Sequence, residues 1–243
     1  MLIVNLGAGT KAVDDPSVVN VDWSIYHRVN RNPALRKIAP LFIRGERRQK
    51  LEGLGDNVVV HNLAKGLPFE DATVDAVYHS HFLEHLDRDV APGFVAEVHR
   101  VLRPGGIHRI AVPNLERLCR YYLEDLDASL VDPEVAARHE TSIEAVILYS
   151  VLREAKGTAG QPPLRRRLEN LLLGDARRRG QTHQWMYDRV NLPVLLRSAG
   201  FGDVTIEKFN ESAIPGWREL ALELDEAGNE YKPESLYVEC RRL

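Results

Sequence analysis

The sequence predicts an α/β protein built on a mostly parallel sheet with helices on both faces. Three observations carry this. Short apolar runs of strand length alternate with helical patterns through the first half of the chain. The runs are close to continuously apolar, as strands covered on both faces are. Glycine or proline bounds several of them, as at Gly7 and Pro113.

Leu2–Leu6 is the first such run and stops at Gly7. Val18–Asp22 is the second. Val58–His61 is the third, entered through the turn residues Gly55-Asp56-Asn57, and Val74–His79 is the fourth. A helix over Pro92–Leu102 follows. Pro92 suits a first helical turn, and Phe94, Val95, Val98, Val101 and Leu102 mark one buried face. Pro104-Gly105-Gly106 ends that helix as a turn and leads into a fifth strand, Ile107–Val112. Residues 115–181 read differently. They are helical in pattern, as over Ile143–Lys156, with a break at Gly157–Pro163 and two arginine triplets, Arg165–Arg167 and Arg177–Arg179. The expected division is therefore a sheet domain of residues 1–114 and 182–243 with a helical cap of residues 115–181 inserted on its substrate side. A helix over Asp188–Ala199 ends at Gly200. Strands follow at Val204–Phe209 and Leu236–Cys240, separated by an acidic, turn-rich stretch, Glu211–Glu234.

Composition excludes several classes. The 243 residues are 44% hydrophobic and 28% charged, which is ordinary for a globular chain and not for a disordered one. A net charge of −3 argues against a general nucleic-acid binder, so no nucleic-acid partner is expected. Two cysteines, Cys119 and Cys240, are too few for a disulfide framework or a cysteine zinc site. Met1–Gly7 reads as neither signal peptide nor membrane span, and no apolar run reaches ~18 residues. The expectation is a soluble cytoplasmic protein.

The chemistry concentrates at the carboxyl ends of the strands, where open α/β sheets bind ligands. Gly7-Ala8-Gly9 follows the first strand and lets a ligand approach the backbone closely. Asp22 closes the second, where a carboxylate can accept from both hydroxyls of a ribose; Trp23 comes next. The match of Gly7-x-Gly9-x-x-Ala12 to a dinucleotide fingerprint is undercut by Thr10–Ser17, which contains Pro16 and is shorter than the ~10–12 residues a crossover helix needs. Without that helix there is no helix N-terminus for a pyrophosphate, which weighs against a nicotinamide-dependent oxidoreductase. An amino-acid carboxylate asks less of the turn. Asn62-Leu63 follows the third strand, with a polar edge and an apolar face for a heterocycle.

Taken in order, Asn5-Leu6-Gly7-Ala8-Gly9, Asn20-Val21-Asp22, Asn62-Leu63, Leu67-Pro68-Phe69, Leu83-Glu84-His85-Leu86 and Glu97-x-x-Arg100-Val101-Leu102-Arg103-Pro104-Gly105-Gly106 resemble a class I S-adenosylmethionine-dependent methyltransferase. More narrowly, they resemble type 11-like methyltransferases of glycan and secondary-metabolite pathways. The likeness is strong over Leu2–Asn114 and reaches the last helix through His183-x-Trp185-Met186-Tyr187-Asp188 and Leu195-Leu196-x-x-Ala199-Gly200-Phe201. The resemblance implies a Rossmann-like fold of seven strands with the last antiparallel, and S-adenosyl-L-methionine as cofactor. It also implies a small-molecule acceptor, such as a sugar hydroxyl in surface-glycan or natural-product assembly. Gly7 and Gly9 would bracket the methionine end, Asp22 would hold the ribose, Asn62 and Leu63 would sit by the adenine, and Asn5, Leu6, Ala8 and Trp23 would complete the cofactor site. His79 and Ser80 would line the sulfonium end. Two departures stand out: Asn5 and Asn62 replace residues that are acidic in many class I enzymes, so hydrogen bonding remains there without the charge.

His79, His81, Glu84 and His85 crowd the end of strand four. His81-x-x-Glu84-His85 matches a zinc-peptidase pattern, but that pattern needs both imidazoles on one helix face, so no metal site is expected. Methyl transfer from a sulfonium mainly needs in-line geometry. A hydroxyl acceptor adds the need for a base, and His81 and His85 are the candidates. Trp23–Gly55 carries Arg28, Arg31, Arg36, Lys37, Arg44, Arg47, Arg48 and Lys50, interleaved with Ile25, Tyr26, Leu35, Ile38, Leu41, Phe42 and Ile43. Such a basic amphipathic element suits an anionic substrate or peripheral membrane contact, and the latter opens a non-catalytic reading as an interaction protein.

Overall fold

The structure is a computed structural model, and it describes residues 1–34, 36–37, 51, 53–54, 57–150 and 182–243. Strands β1 (Ile3–Leu6), β2 (Val18–Asp22), β3 (Val58–Val60), β4 (Val74–Ser80), β5 (Leu102–Pro113), β6 (Phe201–Glu207) and β7 (Ser235–Arg242) form one seven-stranded sheet. Its order is β3-β2-β1-β4-β5-β7-β6. Strands β1 to β5 pair in parallel, and β7 runs antiparallel to both β5 and β6. This is the doubly wound, Rossmann-like arrangement of the class I methyltransferase fold. The order in which strands are added reverses between β1 and β4, so their carboxyl ends form the crevice at the switch point.

The helices are α1 (Ile25–Arg31), α2 (Ala91–Val101), α3 (Leu115–Ser129), α4 (Pro133–Ala136), α5 (His139–Ser150), α6 (Asn191–Ser198) and α7 (Trp217–Leu220). The α2 residues Phe94, Val95, Val98 and Val101 pack with Leu192 and Leu196 of α6 on the sheet face that carries Val4, Val77 and Ile110. The spacing read from sequence is the spacing that is buried. The opposite face, with Ile3, Ala76, Tyr78 and Ile107, is covered by Ile214, Trp217, Leu220 and Leu222. Those four lie in the stretch read as merely acidic and turn-rich.

Two boundaries move for identifiable reasons. Strand β5 starts at Leu102, directly after α2, so Pro104-Gly105-Gly106 lies inside a strand. The expected turn survives as a register break. Val74 pairs with Leu102, but Ala76 pairs with Ile107, a bulge that tolerates an exposed proline. A Cβ at Gly106 would stand 2.8 Å from the Arg103 carbonyl oxygen, so the bulge requires glycine. Strand β6 begins at Phe201 rather than Val204 because Phe201 enters the core straight after Gly200, whose φ is +93°.

Helices α3, α4 and α5 follow the fifth strand, as the helical pattern from residue 115 predicts, and α5 is described to Ser150. Their root is fixed: the Leu115 N–H donates to the Tyr187 carbonyl at 3.1 Å, and Arg117 pairs with Glu234. The arginine triplets, the break at Gly157–Pro163, and Leu35, Ile38, Leu41, Phe42, Ile43, Arg44, Arg47, Arg48 and Lys50 lie outside the described residues. Among the described residues, no helix is long and apolar enough to cross a membrane.

Candidate functional site

The crevice is built from the loops that leave β1, β2 and β4. Gly7 and Gly9 both turn in the left-handed region, at φ +67° and +52°, which glycine enters without a Cβ clash. Asp22, 6% exposed at the end of β2, accepts the Gly9 N–H on Oδ2 at 2.9 Å and the Ser24 N–H on Oδ1 at 2.5 Å. His27 holds the other side of the loop by donating from Nε2 to the Gly9 carbonyl at 3.0 Å. Asn5 is likewise committed: its Nδ2 donates to Asn20 Oδ1 at 3.0 Å and to the Lys11 carbonyl at 3.1 Å. Asn5 therefore shapes residues 9–13 from beneath. No helix forms between Thr10 and Ser17, as their length and Pro16 predict.

Above this loop lies a recess of about 150 Å³. Gly7, Gly9, Lys11, Ser80, His81 and Lys232 are among its walls. The Ser80 Oγ is buried and has no hydrogen-bond partner among the described residues. Lys11 crosses the loop, donating to the Leu224 carbonyl at 2.6 Å with its ammonium 4.7 Å from the Tyr231 ring centre. On the other side of Asp22, Trp23 is 42% exposed and lines an open groove with Arg28 and Val60; the Arg28 guanidinium stands 4.7 Å over its ring. Lys11, Tyr231 and Lys232 escaped the sequence reading because two of them come from the 211–234 stretch. Leu6 is fully buried beneath the loop.

The structure corrects one expected role. His79 does not present its ring to the recess. It is fully buried between Phe82 and Phe94, with its Nε2 hydrogen-bonded to His108 Nε2 at 3.0 Å. Neighbouring strand residues face opposite sides, so Ser80 faces the recess and His79 the core. Burial holds the His79 imidazole down to about 3 and that of His108 well below its usual value. At the end of β3, Leu63 opens a short 3₁₀ turn, Leu63–Lys65, and packs on the larger core. Neither Asn62 nor Leu63 is among the residues that line the recess.

His81 and His85 separate in role. His81 sits at φ +50°, a strained position for a non-glycine residue, and lines the recess. Its Nε2 lies 2.8 Å from Ser235 Oγ and its Nδ1 3.4 Å from Glu84 Oε1. His85 lies outside that lining. Its Nδ1 is 3.1 Å from the Thr182 carbonyl, its Nε2 is 3.9 Å from Glu84 Oε1, and its ring centre is 4.9 Å from that of His183. Glu84 is fully buried, and among the described residues neither carboxylate oxygen has a hydrogen-bond partner. Burial raises its carboxyl to about 8. Burial lowers His81 far below the usual range, helped by the Lys232, His183 and His85 charges. His85 falls to about 4, again mainly through burial.

Residues 6–110 match the family model described as a methyltransferase domain. Among solved structures, the chain is similar to an S-adenosylmethionine-dependent methyltransferase from Thermotoga maritima described as a possible histamine N-methyltransferase. That likeness has 16% identity and a TM-score of 0.45 and covers 100% of this chain and 82% of that one. A second, from Methanosarcina mazei, is also an S-adenosylmethionine-dependent methyltransferase, with 15% identity, a TM-score of 0.46 and coverage of 99% and 92%. A third, from Archaeoglobus fulgidus, has 15% identity, a TM-score of 0.42 and coverage of 98% and 85%. None of the curated proteins compared with the chain matches it.

Proposed function

Residues 6–110 match a methyltransferase-domain model, and from that premise we propose that the chain is a class I S-adenosylmethionine-dependent methyltransferase acting on a small hydroxyl-bearing acceptor. The fit to the cofactor rests on this chain's own atoms. Asp22 carries the reading. Its two backbone hydrogen bonds leave about half of a carboxylate's roughly four acceptor sites, enough for a ribose diol. The recess with its Ser80 Oγ, partnerless among the described residues, suits the methionine end, and Trp23 and Val60 border the adenine side.

When bound, S-adenosylmethionine supplies an electrophilic methyl group on a good leaving group. The protein's share is positioning. The Gly7–Gly9 loop and Asp22 fix the cofactor, and Lys11 and Lys232 favour an acceptor with an anionic group. Of the two candidate bases, His81 is the one placed near an acceptor hydroxyl, since it lines the recess and His85 does not. Burial keeps its ring in the neutral form, and Glu84 Oε1 lies 3.4 Å from its Nδ1. A sugar hydroxyl in surface-glycan or natural-product assembly is the acceptor class that the family resemblance favours.

Calorimetry with S-adenosylhomocysteine tests the reading. Asp22→Ala is expected to weaken binding by about 1.5–3 kcal/mol, the range for hydrogen bonds to a charged group. The same titration with NADH is expected to show no binding. Unchanged S-adenosylhomocysteine affinity in Asp22→Ala removes the ribose assignment.

A further inference from the structure

The hydrogen bonds around Glu84 fix where its neighbours' protons are. The Ser235 hydroxyl donates its one hydrogen to the Lys232 carbonyl at 2.7 Å. It can therefore only accept from His81, which places the His81 proton on Nε2 and leaves Nδ1 as a lone pair 3.4 Å from Glu84 Oε1. The Thr182 carbonyl can likewise only accept, so His85 carries its proton on Nδ1 and turns the Nε2 lone pair toward the same oxygen, 3.9 Å away. Lone pairs thus face a fully buried carboxylate whose two oxygens have no hydrogen-bond donor among the described residues. His183 completes the group: ligand atoms of Glu84, His85 and His183 all lie within 4.8 Å of one another. A ring nitrogen that donates to a backbone carbonyl while its partner nitrogen faces a carboxylate is the arrangement that orients a metal-binding histidine.

We infer that Glu84, His85 and His183 form a binding site for a divalent transition-metal ion, set behind His81 of the recess. Two imidazoles and one carboxylate suit zinc or a similar first-row ion rather than magnesium or calcium, which prefer oxygen donors. This is not the zinc-peptidase pattern His81-x-x-Glu84-His85, from which no metal site is expected because its imidazoles share no helix face; a 3₁₀ turn, Leu83–His85, and the distant His183 assemble a different set of donors. His81 belongs to both the recess and the neighbourhood of Glu84, so it would stand between the ion and the acceptor. A role for the ion in the reaction rests on the methyl-transfer reading; metal binding itself does not.

Protein stripped with chelator and titrated with Zn²⁺ by calorimetry is expected to take up one equivalent. Co²⁺ is expected to give visible d–d absorption. His85→Ala and His183→Ala should each lower Zn²⁺ affinity at least tenfold and reduce the Co²⁺ bands, with the far-UV spectrum retained. S-adenosylhomocysteine affinity, measured on the same stripped protein, is expected to be unchanged, which keeps this test separate from that of the cofactor site. Absence of stoichiometric uptake would mean that a carboxyl proton alone satisfies Glu84, and would overturn the inference. So would equal Zn²⁺ affinity in both variants. Should His85→Ala fail to fold, His183→Ala and the Co²⁺ spectrum decide, because His183 is only partly buried.

Discussion

Gly7 shows how little room a single position has. Its φ of +67° costs an L-residue roughly 1–2 kcal/mol. A Cβ there would also stand 2.9 Å from the Phe82 ring. That ring is wedged against Phe94, centroids 5.0 Å apart, and against His79 at 5.8 Å, so it cannot easily give way. Gly7→Ala is therefore expected to destabilise the protein by about 1–3 kcal/mol and to weaken S-adenosylhomocysteine binding. Gly93 provides the contrast: it lies in helix α2 with nothing within 4 Å of its notional Cβ. Gly93→Ala should stabilise by about 0.5–1 kcal/mol through helix propensity. Urea midpoints of both variants check the pair, and a neutral Gly7→Ala would show that the loop is not held in the left-handed turn.

At the level of elements, the short helix α7 carries more than its four residues suggest. Trp217 packs edge-on against Tyr78 with ring centres 5.2 Å apart, and its Nε1 donates to the Phe209 carbonyl at 3.0 Å. The fully buried Arg109 lies 4.6 Å over the same ring and donates to the carbonyls of Lys208, Phe209 and Glu211. Trp217→Ala is expected to cost about 3–5 kcal/mol, the range for emptying a buried aromatic site. It should also weaken S-adenosylhomocysteine binding, because the same stretch delivers Tyr231 and Lys232 to the recess; full affinity would separate α7 from the site. None of this was legible in the sequence. The apolar residues of 211–234 follow neither a helical nor a strand period, since left-handed turns at Gly216 and Ala221 bracket α7. Nothing in the sequence marks Arg109 and Glu239 as the buried pair, 3.5 Å apart, that the structure shows. The strands were legible, because apolar runs between turn residues need only local reading. So was the placement of Asp22 and the glycine loop at strand ends. His79 was misassigned although strand alternation already forbids it and Ser80 from facing one recess.

Across the whole molecule, buried titratable groups set opposing slopes of stability against pH. His79, His81, His85 and His108 all have depressed values in the folded state. The unfolded chain takes up their protons as pH falls below about 6.5, while the folded chain does not, so stability is lost toward acid. Glu84 and Glu223 are raised by burial, to about 8 and about 7. Below about 4.5 the two states bind these protons alike. Above it the unfolded chain releases them first, so this contribution falls as pH rises to 7 or 8. Near pH 5.5 four histidine protons oppose two carboxyl protons. The net of about two protons predicts a stability gain of ~2–3 kcal/mol per pH unit, up to a maximum near pH 6–7. Urea midpoints from pH 5 to 8.5, measured with chelator present, should trace that dome; a flat profile would mean that the histidines are solvated. The His79–His108 pair allows a sharper check. Removing one partner leaves the other's Nε2 unsatisfied, at about 1–3 kcal/mol, whereas His79→Leu with His108→Leu removes both polar groups together and should be near neutral at pH 7. The double variant then has two histidine protons against two carboxyl protons, and its stability near pH 5.5 should become almost independent of pH.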